Sequence, residues 1–169
     1  DVAADGDHVY HISPHLVWSR PDGLLPEWGL VDDGAYFVAA AADDEKVAVL
    51  DARKRRVLLV RAGSGTTQQL PLADFRLDER VVADDLALSG DAILLADIGR
   101  DRIISLDPAS DRQSEFPTHD GPKAVAAGPG GEIFVLGRGG WGLRYGPTGD
   151  LRSVWSMPRR LGVEATDIA

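Results

Sequence analysis

An apolar residue followed by proline recurs along the chain at Leu25-Pro26, Leu70-Pro71, Phe116-Pro117 and Met157-Pro158, so that the prolines stand 45, 46 and 41 residues apart. A period of that size in 169 residues points to one supersecondary unit copied about four times, since each interval holds a small sheet but not an independent core. A second series interleaves with the first: Asp5-Gly6, Asp33-Gly34, Ser89-Gly90 and Gly130-Gly131 are dipeptides that supply the positive φ of a tight hairpin, because glycine has no Cβ to clash.

Runs rich in β-branched and aromatic residues follow these turns: Val9-Tyr10-His11-Ile12, Tyr36-Phe37-Val38, Ile93-Leu94-Leu95 and Ile133-Phe134-Val135. They read as second strands. Third strands follow at Leu16-Val17-Trp18, Val47-Ala48-Val49-Leu50, Arg102-Ile103-Ile104-Ser105-Leu106 and Gly142-Leu143-Arg144-Tyr145. Each of these then meets a reversal: Arg20-Pro21-Asp22-Gly23, Asp51-Ala52-Arg53-Lys54, Asp107-Pro108-Ala109-Ser110 or Gly146-Pro147-Thr148-Gly149. A fourth strand runs on to the proline, which an outer edge tolerates because no N–H is needed there. The Leu72 to Val82 stretch is the one place where a helical turn would fit.

The expectation is an all-β chain of β-propeller type, a single domain over 1–169 with about four four-stranded blades at roughly 1–26, 27–71, 81–117 and 122–158. Residues 164–169 read as the start of a further blade, as in part of a larger or incomplete propeller. A two-sheet sandwich also uses short strands and turns, but it requires no period of this length.

Acidic residues outnumber basic ones, 27 to 18, for a formal charge of -9. That average field repels a phosphate backbone, so nucleic acid is not an expected partner. The chain has no cysteine, which removes disulfides, thiolate metal sites and a cysteine nucleophile. No apolar run approaches the roughly 20 residues of a membrane-spanning helix. Asp1 stands where an initiator methionine would be, as in a processed, extracytoplasmic chain or in a segment of a longer one.

Two stretches resemble the blades of NHL-repeat and regucalcin/gluconolactonase-like propellers, which are typically six-bladed. One runs from Asp84-Asp85-Leu86 through Ala96-Asp97 to Gly99-Arg100-Asp101-Arg102-Ile103, the other from Pro122-Lys123-Ala124-Val125 through Gly131-Glu132-Ile133 to Asp150-Leu151. In lactonase-like members a divalent ion such as calcium is held by a Glu, an Asn and an Asp, each just before an inner strand. The resemblance puts Glu27, Asp84 and Lys123 at those places. A lysine at the third neutralises carboxylates instead of completing an oxygen cage, so Glu27 and Asp84 are weak metal candidates and no cofactor is expected.

Other chemistry-bearing residues carry less. His8, His11 and His15 form a cluster, but on a strand the first two point to opposite faces. Ala62-Gly63-Ser64-Gly65-Thr66-Thr67 lacks the lysine and helix of a phosphate loop. Gly137-Arg138-Gly139-Gly140-Trp141-Gly142 reads as a hairpin tip that presents a cation and an aromatic ring. Arg53-Lys54-Arg55-Arg56 is a basic run in a turn, suited to an anionic surface or to solvent. Asp43-Asp44-Glu45 and the Asp97–Asp101 loop lack EF-hand spacing.

In a propeller the loops before inner strands and those after second strands share one face. That places Trp28, Asp84, Asp85, Asp97, Arg100, Lys123, Arg138 and Trp141 together as a ligand or partner surface. The function expected from such blades is a non-catalytic interaction or scaffold protein with a protein partner. The alternative is a metal-dependent lactonase-like or esterase-like hydrolase. A third reading is a subunit of a larger assembly that pairs through an exposed blade edge.

Overall fold

The computed structural model describes residues 2–5, 8–14, 16–19, 28–31, 34–43, 46–61 and 72–156, with the side chains of 2–12, 16–19 and 28–31 outside the description. The described residues hold sixteen strands and no helix. They form four antiparallel sheets of four strands, each a meander in which chain neighbours are sheet neighbours. That order excludes a Greek-key sandwich, whose sheets exchange strands.

The chain separates into two compact units, Asp1–Glu79 and Arg80–Ala169. In the first unit, β1 (Val2–Asp5), β2 (His8–Ser13), β3 (Leu16–Ser19) and β4 (Trp28–Val31) make one sheet. The next comprises β5 (Phe37–Ala42), β6 (Lys46–Asp51), β7 (Arg56–Arg61) and β8 (Ala73–Arg76). The second unit contains β9 (Ala83–Ser89), β10 (Ala92–Asp97), β11 (Arg102–Asp107) and β12 (Arg112–Pro117), then β13 (Pro122–Ala127), β14 (Ile133–Gly137), β15 (Trp141–Tyr145) and β16 (Leu151–Ser156).

The central strands β6 and β7 of the second sheet are buried on both faces. In the second sheet Val47, Val49, Leu58 and Val60 pack with Ala35, Phe37 and Ala40 on one side, while Ala48, Leu50, Val57 and Leu59 are buried on the other. That is why β6 and β7 read as near-continuous apolar runs with no alternation. In the second unit the two sheets share a core. Ala87, Leu94, Ala96 and Ile103 of one meet Val125, Ile133, Val135, Leu143 and Tyr145 of the other, each large side chain contributing about 1.5–3 kcal/mol by burial. The Phe116 and Tyr145 rings close this core with centroids 5.0 Å apart.

Strand placement in the second unit follows the glycine turns. Gly90, Gly130, Gly131 and Gly149 all have positive φ, and Pro117 ends β12 at a sheet edge. The first unit differs from the sequence-based expectation. Residues 28–31, expected as the inner strand of the second blade, form the outermost strand β4 of the first sheet. Of the expected Asp33-Gly34 hairpin turn, Gly34 falls in sequence between two sheets, after β4 and before β5, and Asp33 lies outside the described residues. Tyr36-Phe37-Val38, expected as a second strand, opens the innermost strand β5, and Val47-Ala48-Val49-Leu50 lies in the second strand β6. The 51–54 reversal joins second to third strand, and the Leu72 to Val82 stretch carries β8 instead of a helical turn. The first hairpin of this sheet is closed without glycine, Asp43 Oδ1 accepting the Lys46 N–H at 2.7 Å. Pro26, Pro71, Pro158 and the 164–169 tail lie outside the described residues.

Candidate functional site

One device recurs where a second strand ends and an inner strand begins. Asp97, the last residue of β10, is fully buried. Its Oδ1 accepts the N–H of Val82, just ahead of β9, at 3.0 Å and that of Gly99 at 3.2 Å, while Oδ2 receives Arg102 Nε at 2.8 Å. Arg102 also pairs with Glu115 on β12. Asp51 repeats this at the end of β6, accepting the N–H groups of Tyr36 and Lys54 at 3.0 and 3.1 Å and receiving Arg56 Nε at 3.3 Å. Arg56 continues to Asp74 on β8 at 3.0 Å. Burial lowers the Arg56 pKa, but the Asp74 and Asp51 carboxylates raise it by more, so the net shift is upward.

The fourth sheet builds the same closure from the other side. Gly137 stands where Asp51 and Asp97 stand, and the carboxylate comes from Asp120, which precedes β13 and accepts the Gly139 N–H. A Cβ at Gly137 would lie 2.6 Å from Asp120 Oδ2. Arg138, beside Gly137, lies across Gly121, whose added Cβ would meet Arg138 Cδ at 3.2 Å and Asp101 Oδ1 at 2.8 Å. Its Nη2 donates to the Ile98 carbonyl of the neighbouring sheet at 3.3 Å.

The inner strands β5, β9 and β13 each enter their sheet through a bulge. Residues 84 and 123 are the extra residues opposite Ala96/Asp97 and Leu136/Gly137, and Val38 is the extra residue in β5. A bulge re-aims the side chain it adds, so Asp84 and Lys123 occupy matching places in adjacent sheets of the second unit. The next residue of β9, Asp85, accepts the Val125 N–H of β13 at 2.7 Å and so ties the two inner strands together.

The structure thus brings Asp84, Asp85, Asp97, Arg100, Lys123, Arg138 and Trp141 to one end of the second unit, where β9, β11, β13 and β15 begin. They divide by environment. Asp97 and Asp85 are engaged by backbone amides, whereas Asp84, Arg100, Arg138 and Trp141 are exposed, Trp141 by 47%. Lys123 is half-buried and has an interaction partner.

Trp28 starts β4, an outermost strand, and Glu27, which lies outside the described residues, precedes that same strand in sequence. The expected place of Glu27 before an inner strand rested on the shifted strand assignment. His15 and the 62–67 loop also lie outside the described residues, as do the side chains of His8 and His11. Among the described residues no three His, Cys, Asp or Glu side chains are grouped to hold a metal ion, and no helix is long and apolar enough to cross a membrane.

Sequence reasoning missed Asp120, Asp101 and the Asp51/Arg56 pair. The last was readable, because an Asp followed five residues on by Arg occurs at both Asp51/Arg56 and Asp97/Arg102.

No protein-family model matches the chain, and no curated protein matches it in sequence. Solved structures do. BamB from Moraxella catarrhalis aligns with a TM-score of 0.70 at 15% identity, over 92% of this chain and 47% of its own. The Pan2 WD40 domain of Neurospora crassa aligns with 0.69 at 15% identity, over 92% and 48%. A chain of a nidogen/laminin complex aligns with 0.70 at 16% identity, over 93% and 62%. The chain spans about half the length of BamB and of the Pan2 domain. These are β-propeller proteins, and four-stranded antiparallel meanders are their building unit, so the fold here is that of part of a β-propeller.

Proposed function

We propose that this chain is a non-catalytic interaction module that recognises a protein partner through the inner-strand end of its second unit. One observation carries the reading. Where the candidate residues gather, the carboxylates of buried Asp97 and half-buried Asp85 are engaged in holding the backbone, and what faces solvent is an aromatic ring, Trp141, together with the cations Arg100 and Arg138 and the carboxylate of Asp84. Trp and Arg on rigid supports are the residue types that anchor protein interfaces. Three of the similar structures are of proteins caught with partners or named for propeller repeats: BBS1 with ARL6, nidogen with laminin, and the WD40 domain of Pan2. They support a scaffold role for the fold, which hosts many activities.

The finer affiliation proposed is with the NHL-repeat and regucalcin-like propellers that the Asp84–Ile103 and Pro122–Leu151 stretches resemble. Asp84 and Lys123 at matching bulges favour charge neutralisation over cation binding there, so the hydrolase reading is the alternative to be tested against.

Two measurements on the full chain decide it. A panel of lactones and esters with calcium, manganese or zinc is expected to show no turnover, and a photo-crosslinker replacing Trp141 is expected to capture one protein saturably, with capture reduced by Arg138→Ala. Turnover that disappears with Asp84→Ala overturns the proposal.

A further inference from the structure

The β6–β7 turn of the first unit carries three consecutive cations, Arg53, Lys54 and Arg55, all exposed. The next cation, Arg56, is committed to Asp51 and Asp74. Arg53 and Arg55 have neither a hydrogen bond nor an ion pair from their side chains among the described residues, in a chain with 27 acids to 18 bases. Two uncompensated guanidinium groups side by side are therefore not a by-product of local pairing.

The backbone of the turn is fixed on both sides. Asp51 Oδ1 fixes the Lys54 N–H, the Ala52 N–H donates to the Tyr36 carbonyl at 2.9 Å, and the Arg55 carbonyl accepts the Leu77 N–H at 2.8 Å. A display pinned on both sides loses little freedom on binding, which favours affinity. Arg55 also holds φ at 53°, the left-handed region, where the matching turns place Asp101 at 50° and Gly140 at 78°. A long side chain gains nothing from that backbone, whereas Gly, Asn and Asp tolerate it best. A strained residue kept where the fold would accept glycine is a pointer to function. Tyr36, 45% exposed and bonded through its carbonyl to the turn, adds an aromatic contact.

Resting on the reading of the chain as an interaction module, we propose that this turn docks an acidic peptide segment of a protein partner, Arg53 and Arg55 receiving its carboxylates with Tyr36 beside them. Arginine suits this role because its planar fork meets a carboxylate in two parallel bonds. Asp43, at the β5–β6 connection, belongs to the other end of the same sheet. A six-residue strand such as β6 spans about 20 Å, about twice the distance over which exposed charges act at physiological salt. The average charge of -9 opposes a long polyanion but leaves a short acidic segment free to meet the local patch.

The test is fluorescence anisotropy on the full chain with a labelled octapeptide of alternating Asp and Glu. Saturable binding is expected at 50 mM salt, roughly tenfold weaker at 200 mM. R53E/R55E is expected to lose at least tenfold, Tyr36→Ala several-fold, and Arg112→Gln, on β12, nothing. Arg55→Gly relieves the backbone and is expected to keep or raise Tm while weakening binding, which a merely structural role would not produce. Absence of saturable binding by the wild type, or equal binding by R53E/R55E, overturns the proposal. So does tighter binding of a duplex oligonucleotide or of phosphatidylserine vesicles that the same double variant abolishes. A Trp141 crosslink that persists while the peptide fails to bind sinks the turn alone, whereas turnover dependent on Asp84 sinks the underlying reading.

Discussion

Asp97 and Arg102 meet at 2.8 Å inside the protein, at the two ends of one turn, and the same carboxylate fixes the backbone that leads into β9. The ion pair is therefore also a junction between sheet and connection. Removing Asp97 leaves the buried Arg102 with the exposed Glu115 as its remaining carboxylate, and breaking a buried pair typically costs about 3–5 kcal/mol. Asp97→Ala is expected to lower unfolding free energy by about 3 kcal/mol in urea titration. Asp51→Ala should cost less, since Arg56 stands farther off, at 3.3 Å against 2.8 Å, and is the more exposed of the two arginines.

Two glycines with positive φ separate backbone strain from crowding. Around Gly90, φ 59°, an added Cβ meets nothing within 4 Å, whereas at Gly149, φ 82°, it would lie 2.5 Å from the Phe116 ring. Gly90→Ala is expected to cost about 1 kcal/mol for the backbone alone, and Gly149→Ala about 1–3 kcal/mol more for overpacking. Equal losses in thermal or urea unfolding would contradict the Phe116 contact.

Tyr145 is buried with its hydroxyl lacking a hydrogen-bond partner among the described residues, as is the Thr118 hydroxyl. Burial pushes the phenol above its ordinary value of about 10, the nearby His119 backbone opposing the shift without reaching hydrogen-bond geometry. With the folded-state pKa raised, this group's contribution is fully present below the unfolded value and is lost as pH rises beyond it. Stability is expected to fall from about pH 10 upward. Tyr145→Phe should flatten that fall and cost under about 1 kcal/mol at pH 7, since no bond is lost.

Arg138 is exposed and holds the Ile98 carbonyl at a long 3.3 Å. Arg138→Ala is expected to change unfolding free energy by no more than about 0.5 kcal/mol while reducing partner capture at Trp141. A large stability loss without a change in capture would make Arg138 a clamp between sheets instead of a contact.

Much of the second unit could be read directly from sequence because its hairpins close on glycine, at Gly90, Gly130-Gly131 and Gly149, and its outer strand β12 ends on Pro117. In the first unit β1, β2 and β3 lie where the sequence pattern puts them, and the assignment slips by one strand from β4 onward for two physical reasons. Its hairpin near Asp43 uses a carboxylate in place of glycine, and β6 and β7 are buried on both faces, so no alternation marks which strand is which. Chemistry-bearing residues of the second unit could be assigned from sequence to the end where β9, β11, β13 and β15 begin, but their roles were not legible. Asp85 and Asp97 differ from Asp84 only in which backbone amides they meet, and that depends on a bulge whose extra residue a strand pattern does not reveal.

Asp120 and Gly137 share one space. Because a side chain at Gly137 would run into the carboxylate that replaces the one held by Asp51 and Asp97 elsewhere, neither position is free to vary by itself. Restoring an aspartate at the strand end demands a small residue at 120, and losing the carboxylate at 120 leaves the Gly139 amide without its acceptor. Gly137→Asp combined with Asp120→Gly should therefore be better tolerated than either change alone, a pairwise dependence that would leave these two sites exchanging together as such a chain diverges.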